Sequence, residues 1–251
     1  MSVAVVDKLD PLAGIDAGFD GRAAAIALSS KRALDGLGLW DMMQPDPSPI
    51  KEIRVSDADS CFFMHYDRKA VGAEAFGYMV ENRSFRKSLR ACFKELRDFT
   101  LLAPNFITNI ERGPGEVRAT LANGDEVRAK LIVGAEGRRS PPREAAGIKL
   151  TNWSYKQRGI VCTVAHELSH DNVAHEHFLP AGPFAILPLP NNHSSIVWTE
   201  RVELVDEIMA MDDVGFLCEL KYRFGDFLGE LSVVGPRWSY PLALQYAERA
   251  V

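Results

Sequence analysis

The stretch Leu131 to Ile148, LIVGAEGRRSPPREAAGI, decides how this chain reads. Its apolar start, Leu131-Ile132-Val133, has the length and composition of a buried parallel strand. Gly134 and Gly137 allow a sharp turn and close backbone approach to a ligand. Glu136 then falls at the strand's carboxyl end, where ligands lie in open α/β sheets. Ser140, followed by Pro141 and Pro142, predicts the cap and first turn of a helix through Arg143 to Ala146, closed by Gly147. A strand, a glycine-flanked acid and an arginine-bearing helix start together suit a phosphate-rich cofactor. An ordinary strand-loop-helix connection has the same spacing, because glycine and proline punctuate any such turn.

The whole chain is compatible with that reading. Its 251 residues are 47% hydrophobic and 25% charged, the balance of a globular protein able to bury a substantial core in one or two domains. The formal net charge of -5 gives no reason to propose nucleic acid as a partner. Cys61, Cys92, Cys162 and Cys218 are scattered with no CxxC pair, which points to reduced thiols and to neither a disulfide framework nor a zinc knuckle. No apolar run approaches the ~18 residues of a membrane span, and the start MSVAVVDK lacks the layout of a signal peptide. The expectation is a cytoplasmic protein with at most peripheral contact at the inner membrane.

Towards the amino terminus, Val3-Ala4-Val5-Val6-Asp7 reads as a buried strand ending in an acid. In a dinucleotide-binding fold the second strand ends this way, with the acid, here Asp7, placed to bond the ribose of the adenosine half. The glycine-rich turn that should precede it is missing, since Gly14, Gly18, Gly21, Gly36 and Gly38 do not fit G-x-G-x-x-G. Alanines and leucines from Ala23 to Leu34 predict a helix opened by a loop arginine, Arg22, and ended by Gly36-Leu37-Gly38. Ile50 to Tyr66 alternates as one or two strands around a turn at Asp57 to Ser60. Gly77 to Arg83 leads into a helix with Phe85, Leu89, Cys92 and Leu96 on one face. Asn105 to Glu111 and Val117 to Leu121, with a turn at Ala122 to Asp125 before Val127, form a small meander.

Beyond the opening stretch, β-prone runs at Gly159 to Val164, Ala174 to Phe178, Phe184 to Leu189 and Ser195 to Thr199 predict a separate antiparallel sheet. Leu204 to Phe224 is an amphipathic helix with a break near Asp212, Asp213 and Gly215, and Leu231 to Val234 and Trp238 to Leu242 return to strand. His166-Glu167-Leu168-Ser169-His170 matches the zinc-protease motif HExxH, which works only on a helix, where both imidazoles reach one metal. The residues before it are β-branched and those after it are turn formers, so a strand running into a turn is expected and no metal site is assigned.

GAEGRRSPPREAAGI resembles the "DG" motif of single-component flavoprotein aromatic hydroxylases, GADGxxSxxRxxxGI, with Glu136 where aspartate is usual. The FDGR stretch ending in Arg22, the LGLW ending at Trp40, the phrase GYMVENRSFRKSL from Gly77 and EHFLPAGPFAILPL from Glu176 narrow the match to the ubiquinone-biosynthesis hydroxylases. Their pattern for the last is ExFxPxGPxAxLPL. The resemblance implies a mixed α/β fold of the p-hydroxybenzoate-hydroxylase kind, in which an incomplete Rossmann-like FAD domain (1–48 and 76–150) interleaves with an antiparallel-sheet substrate domain (49–75 and 151–245). Residues 246–251 would begin the return to the FAD domain. Asp7, Arg22, Arg83, Glu136 and Gly137 are the implied cofactor-binding residues, with Asn82 and Arg86 as weaker candidates. Pro183, Phe184, Ile186 and Pro188 are the implied lining of the substrate cavity.

The implied activity is FAD-dependent hydroxylation of a polyprenylated phenol or quinone precursor using O2 and NAD(P)H. Protein groups in such enzymes supply binding, orientation and water exclusion, so no catalytic acid or base is named. The glycine motif and the family's later "GD" motif are missing. The chain is therefore expected to be a fragment truncated at both ends, inactive alone, with weak or no flavin affinity. The alternative is a non-catalytic module that binds a quinone precursor or a partner in a ubiquinone biosynthetic complex. A zinc hydrolase is a distant third.

Overall fold

The computed structural model describes residues 1–11, 13, 21–43, 47–58, 60 and 62–250; Gly14, Gly18, Phe19, Asp20, Asp59 and Cys61, used in the sequence reading, lie outside them. The amino-terminal elements are β1 (Val3–Val6), β2 (Ala23–Ala27), α1 (Leu28–Gly36), β3 (Ser48–Ile50), β4 (Glu52–Asp57), β5 (Phe63–Asp67), β6 (Gly77–Glu81) and α2 (Asn82–Glu95). Next come β7 (Phe99–Leu102), β8 (Ile107–Gly113), β9 (Glu116–Leu121), β10 (Glu126–Ala129), α3 (Pro141–Ala145) and β11 (Leu150–His166). The chain continues through β12 (Val173–Leu179), β13 (Gly182–Leu189), β14 (His193–Arg201), α4 (Val202–Ala210), α5 (Asp213–Phe224) and β15 (Leu231–Ala247). Two compact units result, one of 1–14, 93–154 and 243–251, the other of 15–92 and 155–242. The described residues of 21–48 and 76–92, grouped from the sequence with the cofactor part, fall in the same unit as the large sheet. No helix among the described residues is long and apolar enough to cross a membrane.

In the first unit β1 and β7 pair in parallel, Val3 opposite Phe99 to Val6 opposite Leu102. The expected strand β1 forms, but it is not buried: Val3 and Val5 are 42% and 38% exposed. The meander β8-β9-β10 forms as read, with the Leu121 N–H donating to the Asp125 carbonyl and Gly124 at φ +90° in its second turn. The expected strand at Leu131 to Val133 does not form. Residues 131–135 have no regular structure, and Leu131 and Val133 are 75% and 74% exposed. An apolar run becomes a strand only where a neighbouring edge accepts its backbone hydrogen bonds, and no described strand pairs with this one.

The second unit is built on a seven-stranded sheet ordered β15-β11-β14-β13-β12-β4-β5, antiparallel in its register pairs except for β4 against β12. Alternation gives this sheet two faces. One face carries Ile160, Cys162, Phe184, Ile186, Ile196 and Trp198, which pack against Val205 and Ile208 of α4 and Phe216, Leu220 and Phe224 of α5. The two helices are separated where the sequence predicted, because the Asp212 carboxylate accepts the Gly215 N–H at 2.8 Å and starts α5 afresh. On the other face, Ala174, Leu187 and Leu189 meet Ile50, Met79 and Ala23 of a smaller sheet ordered β2-β6-β3, together with Phe76 just before β6.

The smaller sheet corrects the amino-terminal helix. Ala23–Ala27 is a strand, antiparallel to β6 from Ala23 opposite Glu81 to Ala27 opposite Gly77, and the helix begins only at Leu28. Gly77 permits that pairing: a Cβ there would lie 2.6 Å from the Ile26 carbonyl oxygen. A run of alanines has high helix propensity, and tertiary pairing overrides it. In α2 the fully buried positions are Ser84 and Ser88, while Phe85 packs beside the Trp40 and Tyr78 cluster, and Leu96 falls beyond the helix and is exposed. Cys92, Cys162 and Cys218 are free thiols, and burial pushes Cys162 up to about 12.

Candidate functional site

In the first unit the DG-like loop is organised by Ser140. Its hydroxyl donates to Glu136 Oε2 at 2.9 Å and accepts the Arg143 N–H at 3.4 Å, so one side chain caps α3 and orients the acid. A Cβ on Gly134 would lie 3.3 Å from that hydroxyl and 3.4 Å from Glu136 Oε2, so glycine permits the turn. Gly137 has φ +76° and nothing within 4 Å of where a Cβ would stand, while its carbonyl accepts from Arg143 Nη1 at 3.5 Å. Arg143 donates from Nη2 to the Arg138 carbonyl at 3.0 Å, and its buried Nε has no hydrogen-bond partner. A glycine turn next to Arg138, Arg139 and Arg143 suits an anionic, phosphate-bearing group.

Asp7 follows β1, as the sequence places it. Its Oδ1 accepts the Leu9 N–H at 2.9 Å, while its backbone bonds Leu102 and Asn105 and ties the end of β1 to the chain after β7.

In the second unit Arg22 lies immediately before β2 and is half-buried, its guanidinium carbon 5.4 Å from the centre of the Trp238 ring. Arg83 is in the first turn of α2, where its Nε donates to Glu81 Oε2 at 2.5 Å. That ion pair occupies part of the Arg83 edge and gives it a fixed direction.

The strand from Pro183 to Pro188 presents two faces. Phe184 and Ile186 are 0% and 1% exposed in the core beneath α4 and α5, and alternation puts Pro188 on their side. Pro183, Ala185 and Leu187 lie on the opposite face. Glu176, paired with Ala185 in register, shares that face, and burial pushes its carboxyl up from its ordinary range. Glu176 and Trp238 were not singled out from the sequence. Glu176 opens the ExFxPxGP phrase, so the signal was present there; for Trp238 there was no motif.

The HExxH stretch is the end of β11 followed by a turn, as its composition predicts. His166 Nδ1 lies 2.7 Å from the Leu168 carbonyl and its Nε2 3.1 Å from Ser194 Oγ. His170 Nε2 lies 2.7 Å from the Leu189 carbonyl, and its Nδ1 accepts the Asn172 N–H at 3.0 Å. Both rings are fully engaged, and burial lowers the His166 pKa. Among the described residues no three His, Cys, Asp or Glu side chains are grouped to hold a metal.

The sequence profile described as "FAD binding domain" matches residues 2–207. The chain belongs to the FAD binding domain family. Within it, the chain is 51% identical to ubiquinone hydroxylase UbiL of Rhodospirillum rubrum, over 100% of this chain and 58% of that protein. It is 28% identical to 3-demethoxyubiquinol 3-hydroxylase of Escherichia coli K12, over 98% of this chain and 64% of that protein. The chain thus spans less than two thirds of either relative. Among solved structures, p-nitrophenol 4-monooxygenase PnpA from Pseudomonas putida DLL-E4 superposes with a TM-score of 0.73 at 15% identity, covering 100% of this chain and 65% of that one. That likeness bears on the fold alone. The resemblance to ubiquinone-biosynthesis hydroxylases and the mixed α/β fold expected from the motifs are both borne out.

Proposed function

We propose that this chain acts in an FAD-dependent monooxygenase that hydroxylates a polyprenylated phenol or quinone precursor with O2 and NAD(P)H. The observation that carries this reading is the 51% identity to UbiL across all 251 residues. Bound FAD would supply the oxygen-transfer chemistry, and the chain's residues bind, orient and exclude water. In the first unit Asp7 would bond the ribose of FAD and the Glu136–Gly137 loop would hold its pyrophosphate. In the second unit Arg22 and Arg83 are cofactor candidates on the strength of their motifs alone. On β13 the substrate face is the Pro183 and Ala185 side, with Glu176 as its polar group, while Phe184 and Ile186 support that face from the core.

The test compares this chain with a version extended to the length of its relatives. Each is titrated with FAD, followed by flavin absorbance, and assayed for NAD(P)H oxidation and hydroxylated product. FAD uptake and product from the extended protein are expected. An extended protein that neither takes up FAD nor oxidises NAD(P)H rules the reading out.

A further inference from the structure

The face of the seven-stranded sheet that carries Pro183 and Ala185 holds a continuous row of side chains across six strands. Register places Val161 of β11 beside Val197 of β14, Val197 beside Ala185 of β13, and Ala185 beside Glu176 of β12. It then places Glu176 beside Val55 of β4, and Val55 beside Met64 of β5. Glu176 is the one polar side chain of that row. Along β12 its neighbours on the same face, Ala174 and Phe178, are apolar too. The nearest other acid on this face, Asp57, pairs with Phe178 and is exposed.

Glu176 is half-buried, yet among the described residues its carboxylate joins no hydrogen bond or ion pair. Burial alone pushes its pKa up, with no neighbouring charge contributing. A carboxylate taken from water without a partner is destabilising, and a ligand hydroxyl that donates to it offsets that penalty. Apolar positions flank it at the strand spacing of about 4.8 Å, so a flat ring can cover them while its hydroxyl meets the acid. An apolar wall with one placed polar group fixes the orientation of a small molecule.

We propose that Glu176 is a specificity-determining residue, its carboxylate accepting a hydrogen bond from the ring hydroxyl of an apolar phenol laid along the Val55, Ala185 and Val197 row. This rests on the phenol-substrate part of the reading above and on residues of the second unit alone. A ring bearing methyl in place of hydroxyl keeps the apolar contact but leaves the acid desolvated and unpaired, so the site discriminates against it.

The test uses the version extended to the length of its relatives and two probes, para-butylphenol and para-butyltoluene. Their affinities are measured by equilibrium dialysis with and without FAD, and the readout is the ratio of the two. Glu176→Leu is expected to lower the preference for the phenol by about 10- to 150-fold, the equivalent of one hydrogen bond to a charged group. Butyltoluene is expected to bind that variant as well as before or better. Glu176→Gln, which keeps a neutral acceptor in the same volume, is expected to lose less of the preference. A merely structural role would weaken both probes alike and leave the ratio unmoved.

An unchanged ratio in Glu176→Leu overturns the proposal; should that variant bind neither probe, Glu176→Gln decides by the same ratio. If the wild-type protein binds neither probe, the phenol reading fails and this proposal with it. If the ratio shifts as expected in a protein that takes up no FAD, the cofactor reading fails alone.

Discussion

Ser140 donates its hydroxyl to the Glu136 carboxylate at 2.9 Å while accepting the Arg143 N–H, so the acid of the DG-like loop is oriented by the residue that starts the next helix. Ser140→Ala removes both contacts. It is expected to cost about 0.5–1 kcal/mol, the low end for an N-cap because α3 is a single short turn. Urea unfolding measures the loss, and a midpoint equal to wild type would mean that the hydroxyl does not organise the loop.

Glu200 is 3% exposed and lies 3.6 Å from Arg223, whose guanidinium carbon stands 4.2 Å above the Trp198 ring. Arg223→Ala leaves that carboxylate buried without its cation and is expected to destabilise by about 3–5 kcal/mol. Arg223→Met combined with Glu200→Gln removes both charges and keeps volume over Trp198, so it is expected to be milder than Arg223→Ala. Denaturant unfolding of the set decides, and a double variant as unstable as Arg223→Ala would mean that packing, not the ion pair, dominates there.

His175 is packed against His177 and against Phe227, whose ring centre is 4.7 Å away. Burial first, then His177 and Arg54, lower its pKa from 6.5 to about 4. Between those values the unfolded chain binds the proton that the folded chain refuses. Stability is thus complete above about pH 6.5 and falls as pH drops towards about 4. His175→Phe is expected to flatten this acid-side slope, with the remainder left to His166 and His177, which burial also lowers. Unfolding midpoints at about pH 7 and about pH 5 test it; an unchanged slope in the variant would assign the loss elsewhere.

Phe184 and Pro183 are neighbours with opposite expected behaviour. Phe184 is 0% exposed with its ring centre 6.3 Å from Trp198, so Phe184→Ala opens a core cavity and is expected to cost about 3–5 kcal/mol. Pro183→Ala, on the other face, is expected to change stability much less and to show its effect in substrate binding. Thermal unfolding compares them, and a mild Phe184→Ala would return that residue to the cavity wall.

Local chemistry was legible where it closes on itself. The Ser140 cap, the hairpin turn at Asn123-Gly124, the new helix start at Asp212 and the turn that splits the HExxH histidines all depend on residues a few positions apart. The motif phrases around Glu136, Arg22, Arg83 and Pro183 likewise identified the family before any contact was known.

The sequence by itself determined the family, the caps and turns, the alternation of the large sheet and the break between its two helices. Tertiary structure decided what each segment pairs with and which face meets what. Ala23–Ala27 became a strand because Gly77 lets β6 approach it, and Leu131 to Val133 stayed irregular because no described strand lies beside it. Alternation alone could not tell that Phe184 points at the helices and Pro183 away from them, since period 2 defines two faces without saying which is covered. The approach of Arg22 to the Trp238 ring is of the same kind, since more than two hundred positions separate the two residues in the chain.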